Sequence, residues 1–351
     1  MPKAGEDMKI SLIITVYNEE SIIQDTINKV ISYMDGLFGY EYELILINDG
    51  STDNTGKIIA EAAKRNHGKI IQVDHLCNMG RGQGIRSGFE KVTGDYVITL
   101  DADLSYSPMH IEKLINALTD QSADIVCASP YMKGGIVENV PTSRRLYSKL
   151  GNWLLSIVHP VKLSTYTSIV RGYRKEALER LELSSRGKEI HIEILDKAYY
   201  LGLSICEIPA SLIWHKEHGK GGVAERRPKF KLFKIISSHI ILAIFARPGI
   251  IFAFPGLSLF SIGAYLTVLF AHSFLKLFFG FHQQYAFNTA LSMASREFYG
   301  QSQYSFMFAS FCLILGIQFF IMYFLAIQNK KYFEENFRML SRINSQLKAK
   351  K

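Results

Sequence analysis

A chain of 351 residues exceeds one ordinary domain, so two folding units are the first expectation. With 48% hydrophobic and 21% charged residues, a disordered, collagen-like or disulfide-scaffold protein is excluded. The net charge of +8 points to an anionic partner (nucleic acid, acidic lipid head groups or a phosphorylated substrate), and the placement of the apolar residues decides among these.

Met1 to Met8 is polar, carries Glu6 and Asp7 and lacks the apolar stretch of a secretory signal, so the first domain is expected in the cytoplasm. From about residue 8 to 215, short β-rich runs alternate with amphipathic segments. The predicted strands are Ile10–Val16, Tyr42–Asn48, Lys69–Asp74, Tyr96–Leu100 and Asp124–Ala128. Helical patterns fall near Glu20–Tyr33, Asn54–Asn66, Gln83–Val92 and Met109–Thr119. Such alternation implies an α/β fold with a mostly parallel sheet covered by helices on both faces. The runs ISLIITV and YELILIN are almost continuously apolar, as strands buried on both faces must be. Helix starts are marked by Ser51, Thr52 and Asp53, and by Ser107-Pro108.

Lys216 to Lys234 holds seven Lys/Arg against two Glu, interleaved with Phe230, Leu232 and Phe233, a composition that suits a helix lying at a membrane surface. From Pro248 to Ala271 and from Ser305 to Ile327 no charged residue occurs. Each run is long enough to cross a bilayer core. Basic residues flank the outer ends of both runs and are sparse between them, where only Lys276, Arg296 and Glu297 occur. The positive-inside rule then predicts a two-span hairpin with both termini cytoplasmic. Cys77, Cys127, Cys206 and Cys312 lie far apart, without a CxxC pair, and read as reduced, buried apolar side chains.

In an open α/β sheet, ligands bind beyond the carboxyl ends of the strands. Here the first strand runs into Thr15-Val16-Tyr17-Asn18-Glu19, the second ends in Asn48-Asp49-Gly50-Ser51-Thr52-Asp53, and the fourth ends in Asp101-Ala102-Asp103. Asp53 is best read as a cap for the helix that follows. Asp101 and Asp103, one residue apart after an apolar strand, repel each other unless a cation sits nearby. Hard divalent cations take carboxylate oxygens together with phosphate oxygens, so the pair suits a metal held against a diphosphate. Asn78-Met79-Gly80-Arg81-Gly82-Gln83-Gly84 follows the third strand, and Ile85 stands where a dinucleotide fingerprint needs its last glycine. Its glycines are expected to allow a tight turn and close helix packing. His215 and His218 read as solvated, and Trp153 and Trp214 as packing anchors.

The order of TVYNE, NDGSTD, NMGRGQG, GDYVITLDADL and EIPA, over roughly residues 9 to 220, resembles family 2 glycosyltransferases of the GT-A fold. Within these it is similar to the polyprenyl-phosphate branch, which includes dolichyl-phosphate mannose and glucose synthases and bacterial undecaprenyl-phosphate enzymes. The two-span hairpin is similar to that of the membrane-anchored members. The resemblance implies a GT-A domain over 1–215, a basic juxtamembrane segment over 216–246, a transmembrane hairpin over 247–328 and a basic cytoplasmic tail over 329–351.

It further implies that Tyr17, Glu19 and Asp49 hold the nucleoside, and that Asp101, Ala102 and Asp103 face the sugar-nucleotide diphosphate. Asp101 and Asp103 would bind Mg²⁺ or Mn²⁺. Arg144, Arg145 and Ser148, in RRLYS, match the family's spacing near the acceptor phosphate, Arg171 lies in a TSxxR segment, and Lys216 stands where many members have the Arg of RxxG. Thr15, Ser105, Pro130 and Thr165 replace the usual Pro, Gln, Arg and Asp of neighbouring motifs. The implied partners are a UDP- or GDP-sugar donor, a polyprenyl phosphate acceptor and the lipid bilayer, with no nucleic acid; homo-oligomerisation is left open. The expected activity is inverting transfer of a single sugar. Another membrane-associated acceptor, or a sugar-nucleotide-binding protein with impaired catalysis, is the alternative. A processive synthase is disfavoured because neither Trp153 nor Trp214 follows an Arg in a QxxRW motif.

Overall fold

Strands and helices alternate through the first half of the computed structural model: β1 Met8–Val16, α1 Ile23–Asp35, β2 Tyr40–Asn48, α2 Thr55–Arg65, β3 Ile70–Asp74, α3 Arg81–Phe89, β4 Tyr96–Leu100, α4 His110–Asp120 and β5 Ile125–Ser129. The structure describes residues 8–214 and 248–349. The basic segment from Lys216 to Lys234, with Lys216, His218 and His215, lies outside them. Contacts divide the chain into two units, Met1–Ile240 with Arg338–Lys351, and Ile241–Phe337.

The sheet of the first unit has seven strands in the order β3-β2-β1-β4-β7-β5-β8, where β7 is Arg171–Arg174 and β8 is Ile205–Pro209. β1 pairs in parallel with β2 on one side and β4 on the other, so the strand order reverses beside β1. The register sets Val16 opposite Asn48 and Ile14 opposite Leu100. The residues that follow all three strands therefore meet at one edge, where open α/β sheets bind ligands. Ile10, Leu12, Ile14, Leu44, Leu46 and Ile98 of the sheet are fully buried, as are Ile23, Ile27 and Ile59 of the covering helices and Leu114 and Leu118 of α4. That continuous burial explains the unbroken apolar runs.

β7 was not foreseen. It is antiparallel to both β4 and β5, and its sequence, Arg-Gly-Tyr-Arg, carries no apolar run. Gly172 makes room for Leu118 and Leu114 of α4, whose side chains a Cβ would meet at 2.9 and 3.3 Å. Among the described residues, α5 Thr142–Val158, α6 Lys175–Arg180 and α7 Ile190–Tyr200 also belong to this unit, with a small parallel pair of β6 Ile136–Glu138 and β9 Ser211–Ile213. Cys127 and Cys312 are buried as expected, whereas Cys206 is half-buried and Cys77 is exposed on the loop after β3, because that loop lies over the strand ends rather than in the core.

The second unit contains α8 Pro248–His282 and the start of α9 Phe287–Ala349. Both helices are long and apolar enough to cross a membrane, over Ile251–His282 and Gln303–Ser341. They pack antiparallel through small residues. A Cβ on Gly263 would meet the Leu313 backbone at 2.9 Å, and one on Gly316 the Phe260 backbone at 2.8 Å. Glycine at such crossings lets helix backbones approach closely, which is where apolar helices in lipid gain packing.

Candidate active site

The edge formed by β1, β2 and β4 is stitched together by its own polar residues. Asn18 adopts a left-handed conformation (φ 53°), tolerated by Asn because its short side chain bonds locally. Its amide donates to Ser51 Oγ at 3.0 Å and its Oδ1 accepts from the Thr52 amide at 2.8 Å. Asp53 accepts from the Thr55 amide at 3.0 Å, at the start of α2, and from the Glu20 amide at 3.2 Å. The TVYNE and NDGSTD segments are thus one framework that leaves Tyr17 exposed at its rim.

Asp49 lies beneath that rim, nearly buried. Its Oδ1 accepts from His75 Nδ1 at 2.7 Å and the Met79 amide at 2.9 Å, and its Oδ2 accepts from the Gly80 amide at 3.0 Å. The loop from His75 to Gly80 is therefore pinned to the end of β2. Gly50 (φ +68°) lies so close below that a Cβ would stand 2.3 Å from the Cys77 carbonyl carbon. No other residue fits there.

Asp101, Ala102 and Asp103 turn out of β4. Thr26 of α1 donates its hydroxyl to the Ala102 carbonyl at 2.6 Å, and Asp103 accepts from the Ser105 amide at 2.9 Å. Ser105, which stands in place of Gln, is itself buried and contributes its backbone. Burial lifts the Asp101 carboxyl to about 6; Arg81 opposes this, Asp103 adds to it and Lys188 opposes it. Glu19 is raised as well, by burial and then by Asp103 and Asp53. Tyr17, Glu19, Asp49, Asp101, Ala102 and Asp103 thus share one sheet edge.

Carboxylates that push on one another at the end of a strand, with oxygens as the donor set, fit a hard divalent cation completed by phosphate oxygens. Among the described residues no three His, Cys, Asp or Glu side chains gather closely enough to hold an ion by themselves.

Two cations that no strand-end motif announces, Arg81 and Lys188, also act on Asp101. Arg81 opens α3 from within the glycine loop, and a basic residue opening a helix in such a loop is the signal that could have marked it. The loop is clipped to the segment before α7: the Gly82 amide donates to the Arg186 carbonyl at 2.7 Å, and a Cβ on Gly82 would collide with residues 185–187. Glu193 in turn accepts from the Ser184 and Ser185 amides, each at 2.8 Å. The expected role of the glycines in a tight turn and close packing is met.

The residues assigned to the acceptor separate. Arg144, Arg145 and Ser148 occupy the first two turns of α5, with both arginines exposed. The Arg144 guanidinium lies 4.7 Å from the Trp214 ring centroid, a cation–π contact. Arg171 corrects the expectation made for it. It is 0% exposed, and it donates to the His191 carbonyl at 2.8 Å and the Tyr166 carbonyl at 2.6 Å. Two of its guanidinium nitrogens are bonded to backbone oxygens, bracing the end of β7 against α7, while its Nε is buried without a hydrogen-bond partner, so the side chain is not exposed to a phosphate at the surface. Trp153 is corrected too: at 58% exposure it is no packing anchor. It joins Leu146, Leu150 and Ile157 in an exposed apolar stripe along α5.

The profile described as Glycosyl transferase family 2 matches residues 11–182. Over 230 residues the chain is 32% identical to the undecaprenyl-phosphate 4-deoxy-4-formamido-L-arabinose transferase of Edwardsiella ictaluri (strain 93-146), covering 65% of each protein. Over 205 residues it is 34% identical to the dolichol-phosphate mannosyltransferase of Pyrococcus furiosus, covering 58% of this chain and 56% of that one. The match therefore spans less than two thirds of either relative's length. Among solved structures, glucosyl-3-phosphoglycerate synthase from Mycobacterium tuberculosis, in complex with Mn²⁺, UDP and phosphoglyceric acid, is similar at a TM-score of 0.49 and 20% identity, covering 68% of this chain and 78% of that one. Residues 11–182 of this chain are a glycosyl transferase family 2 domain.

Proposed function

We propose that the protein is a membrane-anchored, inverting glycosyltransferase that moves one sugar from a UDP- or GDP-sugar to a polyprenyl phosphate. The observation that carries this reading is the Asp101/Asp103 pair at the carboxyl edge of the sheet, with Arg81 and Lys188 acting on Asp101, in a chain that also holds two helices of membrane-spanning length. The names of both curated relatives, a dolichol-phosphate and an undecaprenyl-phosphate transferase, support the acceptor class.

Asp101 and Asp103 would hold Mg²⁺ or Mn²⁺, which when bound neutralises the diphosphate as it leaves. Tyr17, Glu19 and Asp49 hold the nucleoside, and the Arg81 and Lys188 cations draw the diphosphate to the same edge. Arg144 and Arg145 receive the acceptor phosphate, with Ser148 and Lys216 assigned beside it. An acceptor phosphate is already an anion at neutral pH, so no strong base has to remove a proton. Its oxygen attacks the anomeric carbon as the bond from that carbon to the diphosphate oxygen breaks, which inverts the centre. Positioning and charge neutralisation do the work.

A polyprenyl phosphate keeps its chain in the bilayer, so this site works at a membrane surface. Helix α5 supports that placement. Leu146, Leu150, Trp153 and Ile157 recur at helical spacing and are exposed, with Arg144, Arg145 and Lys149 beside them and no acidic residue in the helix. Such a helix suits the interface of anionic lipids. The charge distribution around the two spans supports a catalytic domain and termini on the cytoplasmic side. Membranes carrying the protein, given radiolabelled UDP- and GDP-sugars, should pass label into an organic-soluble lipid bearing a β-linked sugar from an α-linked donor. Donor binding without transfer would leave a sugar-nucleotide-binding protein instead, and an α-linked product would refute single displacement.

A further inference from the structure

We propose that His75 is a positioning residue for Asp49, holding that carboxylate so that one acceptor site on Oδ2 remains for an N–H of the donor nucleobase. This rests on the reading that Asp49 faces the nucleoside. An ionised carboxylate offers about four acceptor sites. Three are occupied: Oδ1 by His75 Nδ1–H and the Met79 amide, Oδ2 by the Gly80 amide. The fourth lies on Oδ2.

His75 cannot turn away from this duty. Its Nε2 is 2.9 Å from Ser87 Oγ, and the Gln83 side-chain amide donates to the same Oγ at 3.4 Å. In the neutral tautomer whose Nδ1–H donates to Asp49, Nε2 carries a lone pair and the Ser87 hydroxyl donates to it. The chain of bonds runs Gln83, Ser87, His75, Asp49, and its first two members stand on α3. The side chains of His75 and Asp49 are only 8% and 6% exposed, so the bond between them acts where water screens it little. Without His75, Asp49 is held by two amides of a loop whose own Leu76 is fully exposed.

The chemistry of the open site selects a class of base. A carboxylate oxygen accepts from the imino N–H of uracil or the N1–H of guanine. At the corresponding ring position, cytosine and adenine present a nitrogen lone pair, which the carboxylate repels. His75 therefore bears on donor recognition and leaves sugar transfer itself untouched.

Calorimetric titration of the full-length protein with UDP and with GDP tests this, with steady-state kinetics alongside. For the diphosphate that the wild type binds, His75→Phe should weaken binding about tenfold or more, the loss of one hydrogen bond to a charged group. Donor KM should rise with kcat and acceptor KM unchanged. His75→Asn, whose Nδ2–H can take the place of Nδ1–H, should recover most of the affinity. His75→Phe combined with Asp49→Asn should bind no worse than Asp49→Asn alone. If His75→Phe does not fold, Ser87→Ala carries the test with an expected loss of about threefold, since only one neutral bond is removed. Wild-type affinity in a folded His75→Phe or in Ser87→Ala, no recovery in His75→Asn, or additive losses in the double variant would overturn the proposal. Unchanged binding by Asp49→Asn would instead remove Asp49 itself from the nucleoside site.

Discussion

The Thr26 hydroxyl donates to the Ala102 carbonyl at 2.6 Å, joining helix α1 to the peptide between the two candidate metal-binding carboxylates. Thr26 is buried, and valine has nearly its shape. Thr26→Val should therefore cost about 1 kcal/mol of stability, lowering the melting temperature by about 2–4 °C for a unit of this size. The turn that sets Asp101 and Asp103 would loosen at the same time. Transfer should fall several-fold more than that stability loss explains, with an increased Mg²⁺ or Mn²⁺ requirement in activity titrations.

Asp103→Asn should abolish transfer and leave the fold intact. Asn keeps the oxygen that accepts from the Ser105 amide, so the local turn survives while the charge is lost. Circular dichroism and melting should match the wild type, and labelled lipid should disappear. Retained activity in this variant, or full activity in chelator, removes the metal assignment.

Arg145 and Arg171 should part company. Arg145 is exposed on α5, so Arg145→Ala should melt like the wild type, raise the lipid-phosphate requirement and leave donor binding nearly unchanged. Arg171→Ala strands the buried His191 and Tyr166 carbonyls and should cost about 3 kcal/mol or more, read in thermal melts and in the yield of folded protein. A stable Arg171→Ala with raised acceptor KM would restore Arg171 to the acceptor site.

Two acidic groups give opposite pH signatures. Glu193 is held down to about 2, foremost by Lys197 and Ser185 acting against its burial, so its folded value lies below its unfolded one. Its contribution is present above the ordinary carboxylate range and is lost as pH falls toward about 2, so Glu193→Gln should flatten acid unfolding in that window. Asp101 is raised to about 6, mainly by burial, so its ionisation costs stability as pH rises from the ordinary Asp value toward 6. A cation needs the ionised form. The apparent metal requirement should increase as pH falls through about 6, measured as activity against metal concentration at each pH.

Trp153 should meet lipid. The chain has two tryptophans, so Trp214→Phe leaves Trp153 as the one reporter. In vesicles with brominated acyl chains its emission should be quenched, because interfacial helices bury their apolar face about 5–10 Å into the headgroup and acyl boundary. Ile157→Glu should reduce the quenching. Unquenched emission would mean that α5 faces water or another protein surface.

The parts of this fold legible beforehand are those where burial writes itself into the residues. Ile10–Val16, Tyr42–Asn48 and Tyr96–Leu100 are apolar on both faces, so strand type and the carboxyl edge that carries Tyr17, Asp49 and Asp101 could be read directly. β7 could not, because Arg171 and Arg174 satisfy buried backbone carbonyls and so place charge where periodicity expects apolar side chains. Lys188 is brought to Asp101 only by the contact between the glycine loop and the segment before α7, which lie roughly a hundred residues apart. Leu146, Leu150, Trp153 and Ile157 recur at helical spacing, yet α5 was not among the helices read from the sequence, and a stripe exposed to its surroundings and one folded inward have the same spacing.

The reversed strand β7 also dictates an order of assembly. β1, β2, β3 and β4 follow one another with a single helix between neighbours in sequence, so they can pair as the chain is made. β5 cannot join them directly, because its place in the sheet is separated from β4 by a strand that begins at Arg171. Until that strand arrives, Val97 and Ile98 on one side and Val126 and Cys127 on the other present unpaired backbone and apolar side chains. Open strand edges of this kind invite pairing with other chains. A nascent chain halted between β5 and β7 should therefore be sticky and protease-sensitive, and it becomes protected when four residues, two of them arginines, close the gap.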